Sequence, residues 1–184
     1  KINCAMIKPG TINQILFGWK KGSYTDAKED GIGAIESAKE GTLFLDEIGY
    51  ADLDVQKMLL KFTEDGIYSR FGEQNIEREA DVRLIFGTNV NIEENVNLGL
   101  FQQDLYERIS KYVITIPDLR TRPEDIPLLI EKFINQLNLV NKLGLEIYED
   151  AIKILQNFTW PGNIRQLQFY IERLYNYCRY NKVS

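Results

Sequence analysis

Short, unbroken apolar runs separated by helical periodicities constrain this chain more than any other feature. The runs are Ile2 to Cys4, Thr42 to Leu45, Val82 to Phe86 and Val113 to Ile116. Each is too short for a buried helix and does not alternate with polar residues, the pattern of strands covered on both faces. Between them, Leu53 to Glu64 repeats apolar residues at helical spacing, with Leu53, Val55, Met58, Leu59 and Phe62 predicted to form its core face. Strands alternating with helices specify a parallel α/β sheet. After Ile116 the pattern changes: Pro117, Pro123 and Pro127 punctuate a turn, and the rest reads as helix. The expected division is an α/β portion over residues 1–117 and a helical portion over 118–184. In the latter, Ile126, Leu129, Ile130, Phe133 and Leu137 form one apolar face, and helices near Glu149 to Asn157 and Asn163 to Tyr180 cover it. Ile164, Leu167, Ile171 and Leu174 are the predicted contacts of the last helix, and Asn163 is its predicted cap.

Composition removes whole classes of chemistry. The chain has no histidine, so imidazole bases, Ser-His triads and His-ligated zinc are excluded. Cys4 and Cys178 lie at opposite ends without metal-ligand spacing, and read as reduced thiols of a cytoplasmic protein. A net charge of -5 gives no global basic footprint, so any DNA contact is expected to come from a local patch or from a segment outside this chain. No apolar run approaches the length of a membrane span. The start at Lys1 carries no leader-like pattern and is expected to lie within a longer protein.

The strongest local signal is Gly41-Thr42-Leu43-Phe44-Leu45-Asp46-Glu47, an apolar strand delivering adjacent carboxylates at its C-terminal end. Open α/β sheets bind ligands along that edge. Phosphoryl transfer needs an acid to hold Mg²⁺ and a second group to orient the attacking water; Asp46 suits the first role and Glu47 the second. Read alone, the pair is equally a solvated turn after a buried strand. A second apolar strand, Leu84-Ile85-Phe86, ends in Gly87-Thr88-Asn89, whose polar groups could reach a nucleophilic water or a terminal phosphate. Taken alone, a Thr-Asn pair reads as a turn. Polar termini on two strands of one sheet edge are what a nucleotide site requires.

Seven ordered segments make a specific resemblance: Asn3-Cys4-Ala5, Leu16-Phe17-Gly18, Gly22-Ser23-Tyr24-Thr25-Asp26-Ala27, Gly41 to Gly49, Asp104-Leu105-Tyr106-Glu107-Arg108, Glu124-Asp125-Ile126-Pro127 and Trp160-Pro161-Gly162-Asn163-Ile164-Arg165. Together, across nearly the whole chain, they resemble the AAA+ domain of bacterial enhancer-binding activators, which include response regulators. The resemblance implies a P-loop NTPase sheet followed by a small helical lid, with ATP and Mg²⁺ as cofactors. It makes Asp46 and Glu47 the Walker B pair, with Asp46 serving Mg²⁺ and Glu47 polarising water. It makes Asn3 the residue that restrains the glutamate, Thr88 and Asn89 the first sensor, and Arg165 the second sensor on the lid. Arg108 matches an arginine finger acting in trans, which implies a ring, usually a hexamer. The implied partner is the sigma-54 RNA polymerase holoenzyme, engaged through Gly22 to Ala27.

The sequence departs from that family in three places. The contact loop reads GSYTDA where the family usually has GAFTGA, so Asp26 stands at a glycine position and adds a charge. Weaker sigma-54 engagement and a different partner both remain open. Gln102 aligns with the family's other finger and supplies no charge. No Gly-x-x-x-x-Gly-Lys-Ser/Thr segment is present, so the chain lacks the nest and lysine that grip phosphates, the Walker A element. In the family that loop and its strand lie upstream of Ile2, the strand sitting between those of Leu84 and Val113. The expectation is therefore an ATPase fragment that needs preceding sequence to bind ATP. The alternatives are a non-hydrolysing regulatory or assembly module of the same fold and, last, another AAA+ remodeller such as a protease-linked unfoldase.

Overall fold

The computed structural model describes residues 1–8, 10–73, 75–142 and 144–181. They form two compact units, Lys1–Val113 and Ile114–Ser184. The first unit runs β1 (Ile2–Asn3), α1 (Ile12–Phe17), β2 (Gly18–Trp19), β3 (Gly31–Ile32), α2 (Ala34–Ser37), β4 (Gly41–Asp46), α3 (Leu53–Asp65), β5 (Ile67–Tyr68), β6 (Arg78–Glu79), β7 (Val82–Phe86), α4 (Ile92–Asn97) and α5 (Gln103–Ile109). The second holds α6 (Asp125–Asn141), α7 (Glu149–Gln156) and α8 (Asn163–Asn181).

The central sheet is parallel, in the order β1-β4-β7, with Leu45 opposite Phe86 and Asn3 opposite Asp46. Its register sets Leu43 and Leu45 beside Leu84 and Phe86 on one face. That face packs on Val55, Leu59 and Phe62 of α3, Leu16 and Phe17 of α1, Ile35 of α2 and Leu105 of α5. The opposite face carries Phe44 and Ile85, and Ile85 is 41% exposed. Burial on both faces, expected from the continuous apolar runs, is thus not met among the described residues.

α3 forms where the sequence supplies both ends. The Asp52 carboxylate accepts from the Val55 amide at 2.9 Å, and Gly66 closes the helix at φ 74°, a left-handed conformation that glycine adopts without a Cβ penalty. Leu53 is 45% exposed, so the core face starts at Val55, with the fully buried Gln56 on it. Short antiparallel hairpins, β2 with β3 and β5 with β6, were not expected. They are joined where Phe71 exchanges backbone bonds with Gly18 and Lys20, both at 2.9 Å.

The run Val113 to Ile116 is not a strand. Val113, Ile114 and Ile116 are 72%, 91% and 78% exposed, and no described strand pairs with this segment. β-rich composition cannot make a strand without a neighbouring ladder to satisfy its amides and carbonyls.

In the second unit, Leu119, Ile126, Ile130, Phe133, Leu155, Trp160, Leu167 and Ile171 form one buried cluster, with Leu129, Leu137 and Ile164 against it. Leu174 is 37% exposed; Tyr175 is buried instead, its hydroxyl donating to Asn138 Oδ1 at 3.0 Å. Asn163 does not cap α8 with its side chain. Its own φ is 52°, and its carboxamide accepts from the Leu119 amide at 2.7 Å and donates to Asp118 at 3.3 Å, pinning the chain before α6. Both cysteines are free, and no described helix is long and apolar enough to cross a membrane.

Candidate functional site

Parallel pairing of β4 with β7 delivers their ends to one edge. The ladder continues past both strands, with Gly87 N bonded to Leu45 O at 2.8 Å and Ile48 N to Gly87 O at 2.9 Å. Asp46 is therefore level with Gly87, and an added Cβ there would come 3.2 Å from Asp46 Oδ1. Glu47 has φ 57° and ψ 43°, a left-handed conformation that non-glycine residues rarely adopt and that commonly marks functional sites. The turn aims its carboxylate across the edge, where Oε2 accepts from the Asn89 amide at 3.2 Å. Thr88 Oγ1 accepts from the Val90 amide at 3.3 Å. Asp46, Glu47, Thr88 and Asn89 thus share one sheet edge, and Asn3 lies beside Asp46 in the β1-β4 register.

Two contacts differ from the simplest expectation. Asn3 Oδ1 accepts from the Ala5 amide at 3.0 Å, and Glu47 is held by Asn89, not by Asn3. Asp46 Oδ2 is paired with Lys1 Nζ at 2.9 Å, an ammonium that also lies 5.1 Å from the centre of the Phe44 ring. Among the described residues no cluster of three or more Cys, Asp or Glu side chains forms a metal cage. A lone carboxylate still fits Mg²⁺, which is commonly held by one or two carboxylates, waters and substrate phosphates. Beneath the acids, burial and then the charges of Asp46 and Glu47 push the Cys4 thiol up to about 11, which keeps it protonated near neutral pH.

Arg108 sits in the last turn of α5 and lies against the C-terminus of α3. Its guanidinium donates to Thr63 O at 3.0 and 2.6 Å and to Glu64 O at 3.2 Å, satisfying carbonyls that a helix end leaves open. At the other end of α5, the Gln102 side chain donates to Leu53 O at 3.4 Å, while Gln103 donates to Glu107 at 2.7 Å. Arg165 is exposed in the first turn of α8, and among the described residues it makes no ion pair. It belongs to the second unit.

Gly22 to Ala27 caps the β2-β3 hairpin. Gly22 N donates to Ala27 O at 2.8 Å and Ala27 N to Tyr24 O at 3.0 Å, closing a tight loop. Tyr24 packs edge-on to Trp19, with ring centres 6.1 Å apart, while Thr25 and Asp26 are exposed at the tip. Asp26 is not among the residues of positive φ, so replacing glycine costs no backbone strain here and leaves only the added charge. Below the loop an ionic network joins both hairpins to α2. Arg70 holds Glu36 through bonds of 3.1 and 2.8 Å, Lys20 pairs with Asp30 at 2.6 Å, and Arg78 grips Glu73 through two bonds of 3.0 Å. The Arg70 and Arg78 hydrogen bonds hold the carboxyl groups of Glu36 and Glu73, respectively, below the ordinary carboxylate pKa.

An open parallel sheet with an acid pair and a polar turn on its C-terminal edge, followed by a helical unit, fits the AAA+ class. Residues 1–115 match the sigma-54 interaction domain model and residues 120–184 the AAA+ ATPase lid domain model. The chain belongs to the sigma-54 interaction domain family. Among curated relatives, it is 40% identical over 173 residues to the phenol regulator MopR of Acinetobacter guillouiae, covering 94% of this chain and 31% of MopR. It is 39% identical over 176 residues to the DNA-binding transcriptional regulator NtrC of Rhizobium meliloti (strain 1021), covering 94% of this chain and 36% of NtrC. The chain therefore spans about a third of these relatives' lengths. Crystal structures of NtrX from Brucella abortus are also similar. One superposes with a TM-score of 0.87 at 35% identity, covering 97% of this chain and 40% of NtrX. The NtrX complex with ATP superposes at 0.85 and 35% identity over the same shares.

Proposed function

We propose that this chain is most of the AAA+ ATPase domain of a sigma-54-dependent transcriptional activator, needing preceding sequence to bind ATP, and that hydrolysis in the longer protein moves the Gly22 to Ala27 loop to remodel sigma-54 RNA polymerase. The observation carrying the reading is the convergence of Asp46, Glu47, Thr88 and Asn89 on one sheet edge. Asp46, now paired with Lys1, would hold Mg²⁺, which would supply charge neutralisation at the phosphates. Glu47 orients and polarises the attacking water, with Asn89 fixing its carboxylate and Asn3 poised beside Asp46. Thr88 and Asn89 read the terminal phosphate, and Arg165 on the 118–184 lid is the second sensor.

Arg108 acts in trans, in a ring assembled by the longer protein, with six subunits as the family pattern. It must leave the carbonyls of Thr63 and Glu64 to reach a neighbour. The phosphate-gripping loop and its strand come from preceding sequence, which would cover the free edge of β7 and the exposed run at Val113 to Ile116. Receiver and DNA-binding segments lie outside these residues, and the protein works in the cytoplasm.

A Glu47→Gln replacement in the longer protein tests the core of this reading. It should leave ATP binding intact and lower hydrolysis by roughly 10²- to 10⁴-fold, since an amide is a poor general base. Turnover equal to wild type would remove Glu47 from its role.

A second reading is a module of the same fold that assembles without turnover. It is favoured by the uncharged Gln102 and by the engagement of Arg108 within its own subunit. Absence of ATP hydrolysis by the longer wild-type protein selects it.

A further inference from the structure

Gln56 is buried completely, the only side chain of its kind in the described core to be wholly enclosed. Its amide nitrogen donates to Ala51 O at 2.7 Å and to Leu100 O at 3.0 Å, and its oxygen accepts from the Gln102 amide at 2.8 Å. Both N–H groups and the oxygen are therefore used, all on backbone atoms of two segments, one at Ala51 and one at Leu100 to Gln102. Burying a carboxamide is unfavourable unless its bonds are made, so these segments are held to hydrogen-bond tolerance. The segments are informative. Ala51 closes the turn that follows Glu47, and Leu100 and Gln102 lead directly into α5, which carries Arg108 in its last turn. Asn95 reinforces the link by donating to Gly49 O at 3.3 Å. α3 thus grips α5 at both ends, through Gln56 at the start and through the carbonyls of Thr63 and Glu64 at the finish.

We propose that Gln56 is a positioning residue for Arg108: it ties the segment carrying a subunit's own Glu47 to the helix carrying the arginine that the subunit lends to its neighbour. The proposal rests on the reading of Glu47 and Arg108 given above. An apolar residue of the same size would fill the space and still leave Ala51 O, Leu100 O and Gln102 N without partners. α5 would then lose its register on α3, and displacement of a catalytic group by about 1 Å costs on the order of 10²-fold in rate. The site in the same subunit, with its own Asp46 and Glu47, would keep its binding groups.

The test uses the longer protein, in rings of one variant and in rings mixed from two. Gln56→Met alone should lower kcat for ATP hydrolysis roughly 10- to 100-fold with KM nearly unchanged. Mixed with Glu47→Gln subunits, which are inactive but carry a sound Arg108, the Gln56→Met subunits should regain several-fold activity. Their own Glu47 then receives a correctly seated arginine. A mixture no more active than its separate components overturns the proposal. Arg108→Ala mixed with Glu47→Gln is the control. If that pair regains activity and the Gln56→Met pair does not, only the positioning role falls. If the control also stays silent, the trans reading of Arg108 falls and the proposal with it. Gln56→Asn, one methylene shorter, provides the same readout should thermal unfolding show that Gln56→Met is poorly folded.

Discussion

Gly49 shows how little freedom the residues around the acid pair have. A Cβ built on it would lie 2.3 Å from Val90 Cγ2 and 3.0 Å from Thr88 Oγ1, so a side chain here must push the turn after β7 away from the turn after β4. Gly49→Ala should therefore lower unfolding free energy by about 1–3 kcal/mol, the usual cost of overpacking. It should also reduce hydrolysis in the longer protein, because Thr88 moves with the turn. Urea denaturation and an ATPase assay on the same preparation measure both, and unchanged stability would mean that the turns separate freely. Residues of this kind differ in how far the sequence exposes them. Asp46 and Glu47 are legible because two acids cannot follow a buried strand without reaching solvent at its end. Gln56 is not, since a polar residue on a helix reads as solvent-facing until its carbonyl and amide partners, as far as 46 positions away, are folded onto it.

Among the elements, the paired hairpins depend on charge. β2, β3, β5 and β6 are two residues long, below the length at which alternation gives a pattern, and their ties run between residues distant in the chain, as from Arg70 to Glu36. The sequence therefore discloses the loop at Gly22 to Ala27 but not the ionic platform beneath it. That platform should make stability depend on acid. Glu36 and Glu73 are held below their ordinary value of 4.5, each chiefly by its arginine's hydrogen bonds. The unfolded chain then takes up protons first as pH falls, so the stabilisation is present above pH 4.5 and is lost as pH drops through the lower folded-state values. Urea midpoints measured from about pH 6 to about pH 3 should decline. Arg78→Met should flatten part of that decline while costing about 1–3 kcal/mol near neutral pH, because it strips Glu73 of charge-assisted bonds. An unaltered slope in the variant would mean that Glu73 is held equally well without its arginine.

For the whole molecule, the segment at Val113 to Ile116 and the outer edge of β7 pose a single problem. The first has the composition of a strand and lies exposed; the second is a strand whose other edge meets no described partner. Apolar pattern fixes which residues can enter a sheet, but membership also needs a ladder, and a ladder is a property of two segments. This is why β1, β4 and β7 were readable and the fourth run was misread. The proposed function places a further strand beside β7, so a chain extended by its own preceding sequence should protect what is open here. Amide exchange should slow at least about tenfold for the outward-facing amides of Val82 to Phe86 and for Val113 to Ile116, relative to the 184-residue chain. Protection at β7 alone would mean that the added strand pairs there while Val113 to Ile116 stays outside the sheet. Equal exchange in the two proteins would leave β7 a true edge and remove the strand on which the phosphate-gripping loop is proposed to ride.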